Sequence, residues 1–259
     1  MVAPDFSRIE NILQCKSADF PVLFEFFMNK KVYDFFTEGE SFSTDKKSQW
    51  RKIILAFYRA GYDHVTIPAR YITGFSFPAK TAVRKQTISQ NAGAVITDRA
   101  TFDTYQWQNP QQGNYHLLDE IKTDLPGNMK IIVSGPGGVL ENVVQLTGFE
   151  NLCYMTMLDP ELALEIFDNV GKRLVEFYKI CLQFETVGAI ISNDDWGFKT
   201  QTMLAPSDLR KYVFPWQKKI VEHTHEAGKY AILHSCGYIS SVIDDIINDM
   251  KFDAKHSFE

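Results

Sequence analysis

The chain has 259 residues, 45% of them apolar and 23% charged, with a formal charge of −5 and a pI near 5.7; that is a globular composition, with enough chain to bury a core without staples. Basic residues do not cluster beyond short pairs such as Lys30-Lys31 and Lys46-Lys47, which argues against a nucleic-acid partner, because neutralising phosphates takes a basic face. No apolar run approaches the ~18 residues of a membrane span, the start MVAPDFSRIE lacks the basic and apolar regions of a secretory leader, and Cys15, Cys153, Cys181 and Cys236 show no paired spacing, so a cytoplasmic chain with no membrane partner, folding as one domain over 1–259, is expected.

In chain order, residues 21–27 (PVLFEFF) read as a first strand. Residues 28–38 and 45–60 read as helices, the second with Ile53, Ile54, Phe57 and Tyr58 on one face, and Gly61 stands where a C-cap glycine belongs. Residues 62–67 alternate like a strand and stop at Pro68. Residues 69–128 are irregular and read as a long excursion over one end of the scaffold, with a short helix at 115–122. Residues 129–134 (MKIIVS) form the next strand, followed by the turn Gly135-Pro136-Gly137-Gly138 and a helix to about residue 147. Asp159-Pro160 opens a long helix over 160–185, with proline in its first turn. Residues 189–192, 230–234 and 252–257 read as strands, separated by helices over 206–227 and 242–250.

Strands alternating with longer helices define an α/β class with a parallel sheet. The expected architecture is a TIM-type (β/α) barrel. Six strands are two short of a closed eight-stranded barrel, so either the sheet is open or the last two β/α units are absent.

The sharpest chemical signal is His234-Ser235-Cys236-Gly237. Residues two apart on a strand share a face, so His234 and Cys236 project together while Ser235 points away. They sit at a strand's C-terminal end, where barrels of this class carry their chemistry. Imidazole nitrogen and thiolate sulfur both suit zinc, and a catalytic zinc usually takes a third protein ligand. A buried histidine and a free cysteine packed in the core give the plainer account of the same pair. The second signal is Asp194-Asp195, after the preceding strand. One of the two carboxylates could orient a substrate, ligate metal or hydrogen-bond His234, the other pointing away; a cap on the next helix would explain them equally. The glycine-rich turn around Gly137 could hold an anion or merely permit close approach. Phe102, Tyr105 and Trp107 either anchor the long loop or line a pocket. Of these groups Gly137, Trp107 and His256, the last on the final strand, are the candidates for touching substrate. His223 and His225 end a helix and suit its dipole.

These residues also carry a family resemblance. DDWGFKT (194–200), PSDLRKYVFP (206–215), HEAGK (225–229), HSCG (234–237) and DAKHSFE (253–259) resemble the uroporphyrinogen decarboxylase superfamily, in its branch of methylcobamide:coenzyme M methyltransferase-like proteins. The segment 130–152 and the Asp159-Pro160 helix start also fit, and 8–38 fits loosely. The resemblance implies a TIM-type barrel. It implies zinc held by His234 and Cys236 with a distant cysteine, which would lie beyond Glu259. A methyl group would pass between a corrinoid, carried by a partner protein, and a thiol or related small substrate. Asp194 or Asp195 would orient the acceptor or tune the metal, and self-association as a homodimer is common among similar proteins. A true decarboxylase would be similar to a cationic bowl with an arginine-rich motif, where this chain has Phe24-Glu25-Phe26-Phe27-Met28 and no arginine. Decarboxylation of a porphyrin-like acid, and a non-catalytic truncated binding module, are the rival expectations.

Overall fold

The computed structural model describes residues 2–68, 73–79, 91 and 93–257. In chain order the elements are α1 (Ser7–Leu13), α2 (Lys30–Phe36), α3 (Lys46–Arg59), β1 (His64–Pro68), α4 (Arg99–Thr104), α5 (Leu117–Glu120), β2 (Lys130–Ser134), α6 (Val139–Thr147), α7 (Phe149–Leu158), α8 (Pro160–Cys181), β3 (Val187–Asn193), α9 (Phe214–Glu226), β4 (Tyr230–His234) and β5 (Ala254–His256). Short polar side chains start several helices: Asn29, Asp45, Asp98 and Asp159 each accept a backbone N–H from the first turn.

The strands form one parallel sheet in the order β1-β2-β3-β4-β5. Strict alternation sorts their side chains onto two faces. Val65, Ile67, Ile131, Val133, Ile190, Ala231 and Leu233 belong to a large outer core shared with the helices. Ile132, Ala189, Ile191 and Ile232 belong to a separate inner cluster with Phe6 and Ile9. Runs apolar on both faces are the signature of a parallel sheet covered on both sides. The sheet is an arc of a (β/α) barrel: α1 closes its floor, and the strand C-termini define its mouth.

Residues 21–27 do not form the expected strand; among the described residues the sheet has five. The segment runs through the lumen instead. The carbonyl of Glu25 accepts from Thr66 Oγ1 at 3.1 Å and faces His64 Nε2 at 3.4 Å, so side chains of β1 occupy a group that a ladder would have used. Phe24 and Phe26 turn inward onto His64, His234 and His256. An apolar run of this length reads the same whether it pairs with a strand or fills a barrel.

Other boundaries moved for local reasons. The helix expected over 160–185 ends at Cys181, and Lys229 Nζ then donates to the carbonyls of Leu182 and Phe184. The helix expected over 206–227 is interrupted: a turn at Pro206–Asp208 and a wider π-type turn precede α9, whose second residue is Pro215. The segment 242–250 is likewise mostly a π-type turn, Asp245–Met250. Helix α7 lay outside the sequence reading. Gly148, at φ +77°, separates it from α6.

Candidate metal centre

Three strand ends build the site. Asn193 of β3 and His234 of β4 are direct register partners, as are His234 and His256 of β5. All three therefore face the lumen side by side, with about 4.8 Å between neighbouring strands. The ladder continues one residue further, Asp194 N–H donating to the His234 carbonyl at 2.9 Å.

His234 and Cys236 converge as their spacing requires. Cys236 Sγ lies 3.6 Å from His234 Nε2. Ser235, between them, is fully buried on the other side and accepts from the Trp196 N–H at 3.2 Å. The other ring nitrogen of His234 lies 2.7 Å from His256 Nδ1, an imidazole pair that fixes which edge faces the sulfur. Phe26 stacks on the His234 ring with centroids 5.2 Å apart. Gly237, at φ +77°, lets the chain turn at once; a Cβ there would meet the Gly197 carbonyl oxygen at 2.2 Å. Tyr238 N–H donates to the Phe198 carbonyl at 2.7 Å, tying the loops after β3 and β4 together.

The adjacent carboxylates have opposite fates. Asp195 turns to the mouth: its Oδ1 accepts the Cys236 N–H at 2.7 Å and lies 4.0 Å from His234 Nε2. One ligand atom from each of Asp195, His234 and Cys236 lies within 4.8 Å of the other two. Asp194 turns outward and is fully buried. It accepts the N–H groups of Val139, Leu140 and Glu141 at 3.0 to 3.2 Å, and Gln217 Nε2 at 2.9 Å. It caps α6 from a neighbouring strand, and cannot also serve the lumen as a catalytic or metal-tuning group. Gly138 makes room for it, since a Cβ there would meet Asp194 Cβ at 2.1 Å. Burial pushes the Asp194 carboxyl up to about 6, against the pull of its hydrogen bonds.

A cavity of about 550 Å³ is lined by Phe26, which stacks on His234, and by Asn193, the register partner of His234. Phe27, Tyr33, Ser134 and Gly137 also line it, and none of its described lining side chains is charged. Gly137 lies in this lining and His256 stands against His234, while Trp107 lies elsewhere. It packs edge-on to Tyr105 at 4.7 Å beneath the Arg173 guanidinium, in the outer core, where Arg173 Nε donates to the Gln108 carbonyl at 3.0 Å. Its ring anchors the long loop to α8.

The sequence reading gave no role to Glu141, Asn193 or Phe26. Glu141 Oε2 accepts from Gly138 N–H at 3.1 Å and from Asn193 Nδ2 at 2.7 Å. Burial, then the charges of Asp194 and Asp195, push its carboxyl up to about 8. A glutamate three residues after a glycine turn into a helix is a capping-box signal that sequence could have supplied. Cys15, Cys153 and Cys181 all lie off the strand ends, as expected.

The fold and these strand ends define a barrel-type α/β protein of the class that works at its mouth. Residues 80–257, more than half the chain, match the uroporphyrinogen decarboxylase (URO-D) family, and the chain belongs to it. Among solved structures it is similar to a methyltransferase from Methanosarcina mazei, with a TM-score of 0.67 at 12% identity over 96% of this chain and 74% of that one. That likeness is one of fold. The HpcH/HpaI aldolase from Desulfitobacterium hafniense DCB-2 aligns over 79% of this chain and 80% of that one at 11% identity, but with a TM-score of only 0.24. No curated protein sequence matches the chain significantly. Among the described residues no helix is long and apolar enough to cross a membrane.

Proposed function

We propose that the protein is a zinc-dependent methyltransferase that moves a methyl group between a corrinoid on a partner protein and a small thiol. One observation carries this reading: Asp195, His234 and Cys236 bring carboxylate, imidazole and thiol donors within 4.8 Å of one another at the barrel mouth. Oxygen, nitrogen and sulfur together suit zinc, and three protein ligands leave a position open for substrate. Bound there, zinc would lower the pKa of a substrate thiol, which is near 8.5 when free, so that a thiolate is present at neutral pH.

The chain's own residues do the rest. His234, Cys236 and Asp195 would hold the ion, and His256 orients the His234 ring from its far edge. The Cys236 N–H holds Asp195 in place. Phe26 covers the imidazole and keeps water from that side. A bound corrinoid would supply the methyl group and keep the electron pair of the bond it gives up, while the substrate thiol would release its proton and leave as the thioether. The described lining suits this substrate better than a porphyrinogen, since none of its side chains would pair with that molecule's many carboxylates.

Metal analysis of the purified protein tests the proposal. One zinc per chain is expected, with loss of the metal in His234→Ala and Cys236→Ala. Methyl transfer from free methylcobalamin to a thiol should fall with it. A metal-free wild-type protein, unable to take up zinc, would end the reading.

A further inference from the structure

The cavity has a wall whose chemistry is set by residues outside the metal group. Asn193 lines the cavity and stands one strand away from His234, in direct register with it. Glu141 Oε2 is fixed as an acceptor by the Gly138 backbone N–H, so Asn193 meets the same oxygen with its NH2 group at 2.7 Å. That turns the amide so that its carbonyl end is left for the cavity. The rings of Phe26, Phe27 and Tyr33 line the same cavity. A molecule with its sulfur beside Cys236 would therefore lay its carbon chain on the rings and its far end against a hydrogen-bond acceptor.

We infer that Asn193, oriented by Glu141, selects the thiol substrate: it reads a hydroxyl or ammonium group a short carbon chain away from the reacting sulfur, and discriminates against purely apolar and anionic thiols. This rests on the methyl-transfer reading and names the substrate class for that site. Asn193 touches substrate; Glu141 is a positioning residue that acts through it. A site that offers an acceptor to a donor rejects an analogue lacking that donor, because its own polar group is then left unpaired.

Cobalt(II) loaded in place of zinc gives a direct test, since thiolate-to-cobalt charge-transfer absorption reports thiol binding without any methyl transfer. The probes are 2-mercaptoethanol, 2-mercaptoethylamine, ethanethiol and 3-mercaptopropionate. The two donor-bearing thiols should bind about threefold to tenfold tighter than ethanethiol, the range one hydrogen bond supplies, and 3-mercaptopropionate weakest. Asn193→Leu should erase the preference with cobalt still bound. Asn193→Asp should shift it toward 2-mercaptoethylamine. Glu141→Ala should erase it and Glu141→Gln, which keeps an acceptor for Gly138 and Asn193, should restore it. Equal binding of ethanethiol, tightest binding of 3-mercaptopropionate, or an unchanged preference in Asn193→Leu overturns the inference, as does a wild-type protein that takes up no cobalt. Selective thiol binding without methyl transfer from methylcobalamin would leave the Asn193 assignment standing and remove the methyl-transfer reading instead.

Discussion

The floor and the mouth of the barrel lie on the same strands and follow opposite rules. At the floor, Phe6 and Ile9 from the α1 region pack on Ile132, Ala189, Ile191 and Ile232. Phe6 fits so closely that a Cβ on Gly188 would meet its ring at 2.4 Å. One turn of side chains higher, the same inward-facing series becomes Asn193, His234, Cys236 and His256, held by hydrogen bonds to backbone and to one another. The floor spends its side chains on dry packing. The mouth orients polar groups toward a cavity, and burying them brings little stability unless each is partnered.

Removing packing should cost most. Phe6→Ala is expected to lower unfolding stability by about 3–5 kcal/mol, measured by denaturant titration, while the protein that remains folded still binds metal. Next comes the aspartate pair, which sharpens the comparison at single-residue scale. Asp194→Ala strips three N–H groups of their cap and should cost about 2–3 kcal/mol with metal retained. Asp195→Ala loses the single Cys236 N–H bond and should cost only about 0.5–1.5 kcal/mol while weakening zinc affinity about tenfold or more. Equal effects of the two would mean that the loop does not separate them as described.

Two pH dependences should run in opposite directions. Glu141, with an ordinary value of 4.5, is raised to about 8 in the folded protein. The native state therefore keeps a proton that the unfolded chain releases. Its contribution to stability is full below pH 4.5 and is lost as pH rises to 8, so Glu141→Gln should flatten the fall between about pH 6.5 and 8. His64, in the lumen below, is driven by burial from 6.5 down to about 4. There the unfolded chain takes up the proton first, so stability declines as pH falls from 6.5 to 4, and His64→Phe should flatten that limb. Chemical unfolding across pH 4–8 reads both. The smallest effect belongs to Trp107: Trp107→Leu should leave zinc content and thiol binding unchanged, because the ring anchors a loop on the outer face.

The His234–Cys236 convergence was legible because a strand alternates by geometry alone; no distant contact is needed to put two such residues on one face. The parallel α/β class was legible too, from apolar runs punctuated by helices. The strand expected at 21–27 was not, because its phenylalanines satisfy the same pattern by stacking on His64, His234 and His256. Trp107 misled for a related reason: composition marks an aromatic as buried without saying against what.

By itself, then, the sequence determined which residues alternate, where helices begin, and that an imidazole and a thiol share a strand end, all consequences of local backbone geometry. Only the tertiary structure decided that Asp195 faces the lumen and Asp194 does not, and that Glu141 reaches across from α6 to turn the Asn193 amide. Those outcomes depend on what the neighbouring strand and helix offer within hydrogen-bond distance, which no spacing along the chain encodes.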